Sequence, residues 1–180
     1  MLIRVTVPPT AEALSLDEVR PHLRVDADDD NDKLITRAIV AARQRVEREI
    51  GRPLLPQTCS KQFESFARRM PLWEDVTRIV SVSYVSESGE TDSLAAAQFY
   101  VTGGRTLNVV GDLPAARGVI VEFECGAFDQ GSVPESVQQW MLLQIGAMDV
   151  NRAAVESIQT YELPDRWTDG LIDGFRVYTV

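Results

Sequence analysis

The residues with the most chemical potential are the aspartates between Asp26 and Asp32, the single histidine His22, and the two cysteines Cys59 and Cys125. A dense carboxylate run invites a calcium loop. An EF-hand loop requires Gly at its sixth position and a bidentate Glu at its twelfth. Counted from Asp26 those positions are Asn31 and Arg37, and counted from Asp28 they are Lys33 and Ile39. The run fits better as the start of a helix, with Asp29 or Asp30 capping free N–H groups and the remaining carboxylates facing the positive end of the helix dipole. Nucleophilic catalysis would need His22 beside Cys59 or Cys125, and no GxSxG accompanies them. Gly103-Gly104 lacks the GxxxxGK[ST] spacing of a phosphate loop. The arginines Arg37, Arg43, Arg45, Arg48 and Arg52 are accounted for by pairing with Glu47 and Glu49 or by solvation. No catalytic, cofactor-binding or metal-ligating residue is predicted.

A chain of 180 residues with 44% apolar composition is long enough for one domain with a real core. Its 18 basic and 27 acidic residues leave −9, a poor balance for a dedicated DNA binder, because duplex affinity rests on phosphate neutralisation. No apolar run approaches the ~18 to 20 residues of a membrane span. The start, MLIRVTVPPT, is too short in apolar residues for a signal peptide. Two cysteines are too few for a secreted disulfide scaffold and read as half-buried thiols.

The element that must position everything else runs from Asn31 to Ile50. Ile35, Ala38, Ile39, Ala42, Val46 and Ile50 recur at three- and four-residue steps, which places them on one stripe. Gly51 and Pro53 end that helix. Before it, residues 1–14 read as extended, and Ser15-Leu16-Asp17-Glu18 is a capping box opening a short helix with Pro21 inside it. Beyond it, strands are expected at 58–66, 77–85, 98–102, 105–110 and 119–125, with Val80, Val82 and Tyr84 sharing one face. The segment RRMPLWED reads as a charged interruption between strands. Ser132-Val133-Pro134-Glu135 is a second capping box, opening a helix to about Ala154 whose apolar face includes Trp140, Met141 and Ile145. Trp167, Leu171, Ile172 and Phe175 suggest one short closing helix. The expected class is α+β: a helical core (1–56 and 127–180) with an inserted β-meander of about five strands (57–126), in a single domain.

The order of these features resembles the head–tail connector family of tailed phages, the adaptor or head-completion proteins. The matching features are Pro8-Pro9, His22-Leu23-Arg24-Val25 with the acidic run, Ala41-Ala42-Arg43 with Glu47 and Gly51-Arg52, and the Val133-Pro134 helix ending near Asn151-Arg152. Pro21 and the charged stretch 68–75 depart from it. The resemblance implies a structural virion protein without enzymatic activity or cofactor. It would assemble as a ring of twelve copies at the head–tail interface, after a period in the host cytoplasm. Its partners would be copies of itself, the portal protein, a downstream tail or stopper component, and double-stranded DNA passing without sequence-specific contact; no membrane is implied. An acidic subunit suits a channel that must not grip phosphates.

Within such a ring, Arg45, Glu47, Arg48 and Glu49 are the expected inter-subunit residues. The apolar C-terminal set Trp167, Leu171, Phe175, Arg176, Val177 and Tyr178 is the expected portal-docking segment. On residues alone two other classes stay open. One is a small regulatory or nucleic-acid-binding module, which needs a basic face. The other, behind it, is a hydrolase, which needs clustered titratable groups in a cleft.

Overall fold

Alternating apolar and polar side chains build one unit of the chain and helical periodicity builds the other. The computed structural model describes residues 3–154, 168 and 170–178. The sheet unit joins the N-terminal strand β1 (Ile3–Val7) to residues Leu55–Ala127, so this strand, grouped above with the helices, is a sheet element. Its other strands are β2 (Gln57–Phe63), β3 (Arg69–Pro71), β4 (Val76–Ser86), β5 (Thr91–Ser93), β6 (Phe99–Thr102), β7 (Thr106–Val109) and β8 (Ala116–Cys125). They form a five-stranded antiparallel sheet, β1-β2-β8-β4-β5, and a three-stranded sheet, β3-β7-β6.

The class is therefore α+β, but the insertion is not a meander. The last strand, β8, lies between β2 and β4. Its inner face of Val119, Val121, Phe123 and Cys125 is at most 1% exposed, and the most apolar strand gains most from the centre, where both edges pair and neighbours cover it. Those side chains share a core with Cys59, Met70, Leu107 and Val109. Cys59 and Cys125 are not half-buried but fully enclosed, with their Sγ atoms 3.7 Å apart.

Two further differences have local causes. The charged interruption contains β3, whose Met70 is fully buried and registers with Leu107. Along β4 the pairing slips between Ile79 and Ser81, leaving Val80 as an extra residue. A bulge of this kind resets the alternation, so Val82 is buried and Val80 is exposed. The β6–β7 hairpin forms where expected, because Gly103 (φ 58°) and Gly104 (φ 62°) supply the two positive angles of a tight turn.

The helical unit contains α1 (Leu16–Leu23), α2 (Asp29–Ile50) and α3 (Glu135–Ala154). Ser15 and Glu18 close the expected capping box on α1. Asp28, rather than Asp29 or Asp30, caps α2 by accepting from the Asn31 N–H, and Gly51 ends it at φ 74°. Ser132 does not cap α3: its hydroxyl donates to the Asp129 carbonyl, because the helix opens only at Glu135, after Pro134. Helix α2 packs against α3, and α1 touches both. Ile35, Ile39, Ala42, Val46 and Ile50 of α2 are buried, as are Val137, Trp140, Met141 and Ile145 of α3. Of the expected closing helix, Thr168 is helical, the residues on either side of it lie outside those described, and a 3-10 turn follows at Asp173–Phe175.

Candidate functional site

Most of the groups with chemical potential have structural partners. Asp32 receives a two-pronged contact from Arg20, Nε to Oδ1 at 3.0 Å and Nη2 to Oδ2 at 2.7 Å, while Arg20 Nη1 also reaches Asp17 at 2.7 Å. The hydrogen bond from Arg20 holds the Asp32 carboxyl below its ordinary pKa. Asp30 pairs with Lys33 at 3.2 Å. Among the described residues, no group of three or more His, Cys, Asp or Glu side chains is placed to hold a metal ion. His22 lies at the surface of α1 with Nε2 against Gly146 of α3, within 3.3 Å of where a Cβ would stand.

The helical unit also buries a charge network. Arg43 is 4% exposed; its Nε and Nη2 donate to the two oxygens of Glu12 at 2.7 and 3.3 Å, and its Nη1 donates to Glu47 at 3.1 Å. The second Glu47 oxygen accepts the Leu54 N–H at 3.0 Å. Burial works against the Arg43 charge, but the hydrogen bonds and charges of Glu12 and Glu47 outweigh it and raise the guanidinium pKa. Spacing alone announces the Arg43–Glu47 pair, four residues apart on one helix. Glu12 has no such signal, since it lies 31 residues away.

Glu47 is therefore corrected as an inter-subunit residue: at 5% exposure, with both oxygens occupied, it belongs to the interior of its own subunit. Arg45, Arg48 and Glu49 are exposed on α2, as expected, and Arg37 joins them on that side. Glu49 is within 4.0 Å of Arg176. The described part of the C-terminal segment packs largely against α2 and the residues near Phe128. Val177 N–H donates to the Ile50 carbonyl at 2.8 Å, Phe175 meets Phe128 edge-on with centroids 6.0 Å apart, and Ile172 is fully buried. Leu171, Phe175, Arg176 and Val177 are half-buried, whereas Tyr178 is 72% exposed. Trp167 lies outside the described residues.

These polar groups serve folding, and the exposed features include a cationic face of α2 and Tyr178. Residues 13–87 match the family of phage gp6-like head-tail connector proteins. The resemblance to the head–tail connector family holds. That family is structural rather than enzymatic. The matched stretch covers α1, α2 and strands β2 to β4, and it includes the acidic run and the Arg43–Glu47 pair.

The connector likeness in fold extends over the whole chain. A subunit in the neck of an empty gene transfer agent particle, computed with C6 symmetry, is 18% identical, with a TM-score of 0.73 over 100% of this chain and 97% of that one. A chain in the virion of a native gene transfer agent particle gives 17% identity and a TM-score of 0.75 with the same coverage. A third, from the neck of a native particle computed with C12 symmetry, gives 16% and 0.73, again with that coverage. No curated protein matches the sequence.

Proposed function

We propose that this chain is a head–tail connector subunit that assembles as a ring in the neck of a phage or phage-like particle, beneath the portal. There it extends the DNA channel and presents the attachment surface for the next tail component. The observation that carries this reading is the family match over residues 13–87, and the full-length likeness in fold to neck subunits supports it. The C12 and C6 symmetries belong to those particles; a closed ring of twelve is the corresponding proposal here. A closed ring needs two different, mutually fitting faces on each copy.

Portal docking falls to the end of the C-terminal segment. Arg176 and Val177 are tied to α2 within the subunit, so a cut after Gly174 would remove internal contacts as well as any docking surface. Tyr178 is the cleaner probe, because it is exposed. Co-expression with the particle's portal protein, followed by size measurement of the purified complex, tests the proposal. The expected result is a stoichiometric portal–connector ring that Tyr178→Ala weakens without changing the subunit's melting temperature. A wild-type chain that neither joins portal nor enters particles would overturn it.

A further inference from the structure

The solvent side of α2 presents a cationic stripe. Arg37, Arg45 and Arg48 are exposed, and none of them has an ion-pair partner among the described residues. At 100° per residue, Arg37 and Arg48 fall within about 20° of each other on the helix, with Arg45 at the edge of the same face. The buried stripe of Ile35, Ile39, Val46 and Ile50 is on the opposite side. Unmatched cations on one face are unexpected in a chain of net charge −9.

The same chain carries the complement. Asp26, Asp28 and Asp30 are exposed where α2 begins, Asp30 in a solvent-facing pair with Lys33. Within one copy the acidic turn cannot reach the far end of the stripe. At about 1.5 Å per residue, Asp30 and Arg48 are roughly 27 Å apart along a rigid helix. An acidic end and a basic flank on one element suit head-to-tail contact between copies, because each copy offers one face and receives the other. Duplex DNA is the less suitable occupant, since the −9 chain would repel it around the stripe.

We propose that the Arg37–Arg45–Arg48 stripe of one copy docks on the Asp26–Asp30 turn of the next. This lateral contact rests on the ring reading above. Two variants test it: Arg37→Glu with Arg48→Glu, and Asp26→Lys with Asp30→Lys. Asp28 is left intact because it caps α2. Sedimentation at low and high salt reads self-association, and circular dichroism confirms the fold of each variant.

Wild type is expected to self-associate at low salt and dissociate as salt screens the contact. Each variant alone should lose about ten-fold or more in association, as repelling charges replace attracting ones. An equimolar mixture should recover it, because both junctions of an alternating ring are then complementary. Variants that associate like wild type, or a mixture that stays monomeric, would overturn the proposed faces while an assembling wild type keeps the ring reading. A wild type that is monomeric alone yet joins the portal would remove this contact and leave the connector reading standing. Duplex DNA bound by wild type and lost in the arginine variant, with no recovery on mixing, would assign the stripe to nucleic acid instead.

Discussion

The sheet unit and the helical unit solve the problem of a small core in different ways. Between its two sheets, the sheet unit encloses a cluster made of apolar side chains and two thiols. The helical unit buries an arginine between two glutamates alongside its apolar stripe. Charge is distributed just as unevenly: of 18 basic and 27 acidic residues, seven and nine lie in the sheet unit, and the rest in the helical one. Apolar burial is non-directional and tolerates sliding, whereas a paired guanidinium and carboxylate accept one arrangement. Removing one partner of the buried charge should therefore cost the helical unit more than a comparable change costs the sheet unit.

Breaking the charge network gives the largest expected effect. Arg43→Ala strands two carboxylates, one of them buried, and should cost about 3 to 5 kcal/mol in urea unfolding. A cost under 1 kcal/mol would mean that water replaces the guanidinium and that the two units differ less than their composition suggests.

In the sheet unit the corresponding weak point is steric. A Cβ at Gly126 would stand 2.7 Å from the Pro56 nitrogen and 2.8 Å from the Leu55 carbonyl carbon, both backbone atoms. Gly126→Ala should cost about 1 to 3 kcal/mol by overpacking, read from the same unfolding curves.

A smaller effect depends on pH. Because the Asp32 pKa is lowered in the folded chain from its ordinary 3.8, its contribution is present above that value and fades as pH falls through the folded pKa. Asp32→Asn should therefore lower the melting temperature at pH 7 and matter progressively less in acid, below about pH 4. An equal loss at both ends would point to lost packing instead of lost charge.

The smallest effect expected is at Gly146, where a methyl group would press only on the exposed end of His22. That ring can swing aside, so Gly146→Ala should raise stability by up to about 1 kcal/mol through helix propensity. A loss would show that the α1–α3 contact is as unyielding as the backbone contact at Gly126.

Legibility followed the reach of each interaction along the chain. Ser15 and Glu18 are three residues apart, and their capping box was readable and is formed. Gly103-Gly104 was readable for the same reason. The strand at Arg69–Pro71 was not, because its partner Leu107 lies far along the chain and nothing local distinguishes Met70 from a loop residue. Val80 was misplaced because a bulge depends on the partner strand's register. Glu47 looked like a surface residue of a charged helix until the Leu54 N–H and an Arg43 held by Glu12 closed over it. The aromatic and arginine content of Leu171–Tyr178 was visible, but how much of it packs at home was not, since that rests on Phe128 and Ile50.

The N-terminal strand has one more consequence, a mechanical one. Because β1 joins the sheet before the chain enters α1, the backbone passes between the two units three times, near Thr10, Leu54 and Ala127. Neither unit is a contiguous cassette, and the segment 57–126 excised alone would leave the β2 edge without its β1 partner. A single nick at any one crossing leaves two covalent links between the units. Tension applied at one unit is thus shared among three covalent paths instead of falling on one.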